Sequence, residues 1–167
     1  MTHVYARSSE DYADFWRTSI RPIKHPLPDC LKGKCEPSRY SRWLLRKATA
    51  HARRDGKRFG KDGRTVGQYR EEIHQAVMAG GDRDFYTGEP LDWSLIGRFE
   101  NAAAKAGRSV YKKKFAMLPT VDHTFDENGQ RKFVICSWKV NDAKCDLTLE
   151  EFHQICEAVL RYRNRQC

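Results

Sequence analysis

Long hydrophobic runs are missing from this 167-residue chain: Trp43-Leu44-Leu45 and Phe133-Val134-Ile135-Cys136 are among its longest. A bilayer-spanning helix needs about 20 consecutive apolar residues, so no membrane span is expected. The first residues, MTHVYARSSEDYADF, contain no apolar core of the kind a secretory leader requires. The six cysteines include no CxxC pair. With no leader expected, a disulfide framework is not expected either, and the cytoplasm is the expected compartment. Proline is scarce outside one stretch, since four of the six fall between positions 22 and 37. Internal repeats and low-complexity tracts are absent. Collagen, a coiled coil, a membrane protein and a fully disordered chain are thereby excluded. Hydrophobic residues make up 40% of a 19.5 kDa chain. At that size roughly two-thirds of the unfolded surface can be buried, so neither a metal nor a disulfide is required merely to fold.

Acidic residues are nearly missing from positions 39–70. Eleven basic residues stand there (Arg39, Arg42, Arg46, Lys47, Arg53, Arg54, Lys57, Arg58, Lys61, Arg64 and Arg70) against Asp55 and Asp62. That surplus of nine equals the formal net charge of the whole chain, +9. A solvated helix face usually mixes both signs. A one-signed face suits a polyanion, because each phosphate it neutralises releases condensed counterions. The residues expected to contact nucleic acid are Arg46, Lys47, Arg53, Arg54, Lys57 and Arg58.

Local signals place the elements. Residues 9–20 read as a short helix, with Tyr12, Phe15, Trp16 and Ile20 on one face, and the proline-rich stretch after it reads as loop. A helix is expected over 38–55, capped by Ser38 and ended by Gly56. A second is expected over 65–79 and stopped by Gly80-Gly81. The turn-rich segment DFYTGEPLDW follows, then a helix over about 94–106 ending at Gly107. Alternation of Phe115, Met117, Pro119 and Val121 predicts a strand over 115–123, with Pro119 at an edge or bulge. Asn128-Gly129 is a hairpin signal, and KFVICSW reads as the second strand. A short helix starts near Lys139. The last helix opens on the capping box Thr148-x-x-Glu151 and runs to about Arg163, with Leu149, Phe152, Ile155, Cys156, Val159 and Leu160 expected to be buried. His74 and His153 read as helix-surface residues, and Tyr86 and Trp93 as core.

One constellation carries chemistry. Asp122 and His123 end the first strand, and Asn141 opens the helical segment after the second, eighteen residues beyond His123. A carboxylate and an amide oxygen suit a hard, partly hydrated divalent cation. A neutral imidazole suits a general base near pH 7.

DFYTGEPLDW, LPTVDH and ICSWKVNDAK, followed by a terminal helix and preceded by the basic LLRKATAHARRDGKRF, resemble an HNH endonuclease of the ββα-metal superfamily over about residues 42–160. The resemblance implies an α+β fold with a ββα-metal core and added N-terminal helices. Residues 38–167 would form the nuclease domain, with its catalytic unit at about 115–160, and residues 1–37 an arm. His123 would be the general base that activates water. Asp122 and Asn141 would hold one magnesium or manganese ion, which stabilises charge on the phosphorus and the leaving 3′ oxygen. Lys144 would contact a neighbouring phosphate, and Asp142 is a weaker metal candidate. DNA would be the partner, cut to 5′-phosphate and 3′-hydroxyl ends. One site cuts one strand, so a double-strand break would need a homodimer or two visits.

The chain departs from that pattern twice. Many HNH proteins carry two CxxC pairs on a structural zinc; here Phe85-Tyr86 stands at the first and Cys136 alone at the second, so no structural zinc is expected and packing by Phe85, Tyr86 and Trp138 takes its place. No Asn aligns at the start of the second strand to orient the base, which leaves Asn128 or a backbone carbonyl. The alternative reading is a non-catalytic nucleic-acid-binding module with a degenerate HNH site. A zinc site on Cys30 and Cys35 would need two further ligands and is not expected.

Overall fold

The structure is a computed structural model that describes residues 24–60, 63–125 and 128–165. The helix expected over 9–20, as well as Lys61 and Asp62, lies outside the described residues. Among the described residues the fold is α+β, with five α-helices and one two-stranded antiparallel sheet.

Helix α1 spans Pro37–Arg58. It starts at Pro37, one residue before the expected Ser38 cap, because a proline at the first helical position forfeits only an N–H that has no helical partner there. It also runs through Gly56, whose cost in a helix is only about 1 kcal/mol. Tyr40, Trp43, Leu44, Ala48, His51 and Asp55 form its buried face at helical spacing. Helix α2, Val66–Gly80, opens on a reciprocal capping box between Thr65 and Gln68 and ends at Gly81, whose φ of 65° suits glycine. Its buried face is Tyr69, Ile73, His74 and Val77.

The segment before α1 belongs to the same core, since Leu31 is fully buried and Leu27 and Cys35 pack against it. Trp43 meets Trp93 edge-on, with ring centroids 5.1 Å apart, and its indole N–H donates to the Pro119 carbonyl of the sheet. Trp93 is core, as expected.

The helix expected over 94–106 is displaced. A 3-10 turn occupies Trp93–Leu95, and helix α3 spans Asn101–Lys114, running through Gly107. Phe115–Met117 consequently form the turn that ends α3, so the strand begins later than its alternation suggests. Strand β1 is Pro119–Phe125 and β2 is Arg131–Ser137. Their register pairs Asp122 with Val134 and His123 with Phe133. Both strands of a two-stranded sheet are edges, which accommodates Pro119 at the first position. Gly129, φ 71°, sits in the turn between them.

Helix α4, Trp138–Lys144, follows β2 directly with Ser137 as its cap. Helix α5, Leu149–Asn164, has the expected Thr148–Glu151 capping box. None of its residues is buried. Ile155, Val159 and Leu160 are at least half exposed, contrary to expectation. Spacing makes an apolar stripe, but burial needs a second element over it, and no described element packs there. No described helix is long and apolar enough to cross a membrane.

Candidate functional site

The hairpin β1–β2 and α4 enclose, with α1, a cavity of about 500 Å³. Asp122, His123 and Asn141 all line it, as do Arg54, Asp55, Arg58, Arg131, Asp142 and Lys144. Helix α1, remote in sequence, therefore meets the hairpin and the helix that follows it at one place.

Successive strand residues point to opposite faces, and Asp122 and His123 have different neighbours accordingly. Asp122 faces α4 and the turn that carries Tyr86. Its Oδ2 accepts from the Tyr86 hydroxyl at 2.7 Å and pairs with Lys144 Nζ at 3.0 Å. Its Oδ1 accepts from the His123 backbone N–H at 2.8 Å. Lys144, expected to reach a phosphate, is buried with its ammonium on Asp122. Tyr86 is half-buried, and its hydroxyl is spent on Asp122. Burial first, and then that hydrogen bond, pushes the phenol pKa up.

His123 faces α1. Its Nε2 lies 3.3 Å from Asp55 Oδ2, and its ring is 4.9 Å from that of His51 and 4.8 Å from Phe133. Burial, opposed by the Asp55 carboxylate and reinforced by Arg131, holds the imidazole below its ordinary pKa, so the neutral form prevails at pH 7. Asp55 is itself 2% exposed and accepts from the Tyr69 hydroxyl at 2.9 Å; the Arg131 guanidinium stands 3.4 Å away. His51 is 2% exposed, and burial together with His123 pushes it down to about 3.

Asp55 and His51 are additions that the sequence pattern does not point to, and Asp55 stands beside His123 Nε2. The local sign is Asp55 itself, one of just two acids among eleven basic residues. His74 is also a correction. It is buried rather than on the surface, and its Nδ1 shares a 2.7 Å hydrogen bond with the Tyr40 hydroxyl. His153 is exposed as expected.

A carboxylate ties down the turn that carries Phe85 and Tyr86. Asp84, 2% exposed, accepts the Ser137 backbone N–H on Oδ2 and those of Tyr86 and Thr87 on Oδ1. The rings of Phe85 and Tyr86 meet edge-on, while Trp138 packs against Phe99 instead. Cys136 is buried, and Cys30 and Cys35 are free thiols.

The basic residues of α1 are dispersed. At 100° per residue a helix 22 residues long distributes its cations around its whole girth. Arg54 and Arg58 reach the cavity, and Arg58 is paired with Asp146 at 2.7 Å. Arg53 and Lys57 line a groove with Arg64, and Arg46 lines another with Arg39 and Arg42. Lys47 turns inward to donate to Thr120 at 2.7 Å, and burial pushes it down to about 8. Asp142 is exposed beside Lys112.

No family model, curated protein or solved structure matches the chain.

Proposed function

We propose that the protein is a metal-dependent endonuclease of the HNH type, with a ββα-metal core formed by β1, β2 and α4, hydrolysing DNA phosphodiester bonds. The observation that carries this reading is the meeting of Asp122, His123 and Asn141 in one cavity with arginines at its rim. His123 acts as general base. The Asp55 carboxylate, 3.3 Å from Nε2 but not aligned for a hydrogen bond, favours a proton on that nitrogen by its charge and leaves Nδ1 to accept one from water. Asp122 and Asn141 take one magnesium or manganese ion. Such an ion would compete with the Lys144 ammonium for the Asp122 carboxylate, and Lys144, once released, would be free to contact the phosphate. Arg54 and Arg58 supply affinity for the backbone without reading bases.

Supercoiled plasmid incubated with the protein and Mg2+ or Mn2+ tests this. Loss of the supercoiled form is expected, prevented by EDTA and reduced about 10²- to 10⁴-fold in His123→Ala. Undiminished cutting by His123→Ala removes the base assignment. The ion pair Lys144–Asp122 favours the second reading, a nucleic-acid-binding module whose ligand carboxylate is already neutralised. That reading requires a salt-sensitive gel shift with no metal-dependent cutting.

A further inference from the structure

His51 and Asp55 stand four residues apart on α1, and so on one face of it. Strand β1 brings His123 to them. One ligand atom from each of the three residues lies within 4.8 Å of the other two. His51 Nδ1, Asp55 Oδ1 and His123 Nε2 are all buried without a hydrogen-bond partner. An unsatisfied buried polar atom costs about 1–3 kcal/mol, so three in one cluster mark a place built for something else.

We propose that His51, Asp55 and His123 bind one zinc-class divalent cation, at a position separate from Asp122 and Asn141. Two imidazoles and a carboxylate match the donor set of zinc sites that keep a fourth position open, whereas magnesium prefers oxygen alone. Tetrahedral bonds of 2.0–2.1 Å put ligand atoms about 3.3 Å apart. The Asp55 carboxylate already stands 3.3 Å from His123 Nε2 through Oδ2, and rotation of the carboxylate brings Oδ1 towards the ion. Tyr69 and Arg131 approach Asp55 at Oδ2, which leaves Oδ1 for the ion. Asp55 and His123 both line the cavity, which gives an ion a way in.

Sharing His123 has a chemical consequence, and this part rests on the nuclease reading. A neutral imidazole has one lone pair. An ion on Nε2 drives the ring proton to Nδ1, which then cannot accept one from water. Zinc bound here therefore stops hydrolysis that magnesium supports.

The full chain, stripped with EDTA and dialysed, is titrated with Co2+. The expected result is one equivalent bound with visible absorption of the tetrahedral type, displaced by one equivalent of Zn2+. His51→Ala and His123→Ala are expected to weaken binding at least roughly tenfold, with His51→Gln as the substitute should His51→Ala lose its far-UV circular dichroism. Asp122→Asn and Asn141→Ala are expected to bind as the parent does. Absence of saturable binding, binding that survives loss of His51 and His123, or thiolate charge-transfer bands from the cysteines would each overturn the site. A chain that cuts no DNA but binds Co2+ as described loses only the nuclease reading. One that cuts but binds no Co2+ loses only this site. Cutting in Mg2+ that one equivalent of Zn2+ leaves unchanged, with the ion bound, refutes the sharing of His123.

Discussion

Replacing Asp84 by Ala removes the acceptor for three backbone N–H groups at once. The Ser137 bond is 2.6 Å and buried; those to Tyr86 and Thr87 are 2.8 and 3.1 Å and lie nearer the surface. A hydrogen bond to a charged acceptor contributes about 1.5–3 kcal/mol, and a buried donor left alone costs about 1–3 kcal/mol. Water can reach Tyr86 and Thr87 after the truncation but not Ser137, so the expected loss is about 3–5 kcal/mol, less than three full bonds. Urea unfolding followed by tryptophan fluorescence measures it. Asp84→Asn divides the effect: an amide has one acceptor oxygen, so it serves either Ser137 or the turn, and about half the loss is expected. The turn also carries Tyr86, whose hydroxyl holds Asp122, so plasmid cutting should fall along with stability. If Asp84→Ala lies within about 1 kcal/mol of the parent, on the same scale of bond strengths, the carboxylate is not what ties this turn to the sheet.

The remaining predictions concern charge. His51 has an ordinary pKa of 6.5 and about 3 when folded. The unfolded chain therefore binds the extra proton between those values, and stability is full above pH 6.5 and falls as pH drops towards 3. At pH 5 the loss from this residue is about 2 kcal/mol. His51→Leu, measured in EDTA, should gain that amount relative to the parent between pH 8 and pH 5, and an unchanged difference rejects the shift. His123, Arg54 and Lys47 press in the same direction as burial, and Asp55 against it. Lys144→Met leaves the Asp122 carboxylate without its ammonium. A loss of about 3 kcal/mol is expected in EDTA, with partial recovery in Mg2+ greater than the parent shows; equal Mg2+ effects on the two melting temperatures would contradict an ion on Asp122.

Much of the fold is legible in the sequence because its signals are local. The capping box at Thr148, the glycine stop after α2 and the Asn128-Gly129 turn act over a few residues, and each stands where its pattern places it. Glycine misleads twice, at Gly56 and Gly107. A helix absorbs about 1 kcal/mol when its neighbours continue the hydrogen-bond ladder. The candidate site is half legible. Asp122, His123 and Asn141 form a short pattern, but Tyr86, Lys144 and Asp55 gain their meaning only from which side chain lies opposite.

Residue order alone determined the hairpin, the helix that follows it and the excess of positive charge between positions 39 and 70. Tertiary structure decided where those charges point, because a helix turns them through every direction and only some face the cavity. It also decided that His51, His74 and Asp55 are buried and that the apolar stripe of α5 is not. Periodicity marks a face, but only the element packed against it settles whether that face meets water, a carboxylate or an imidazole.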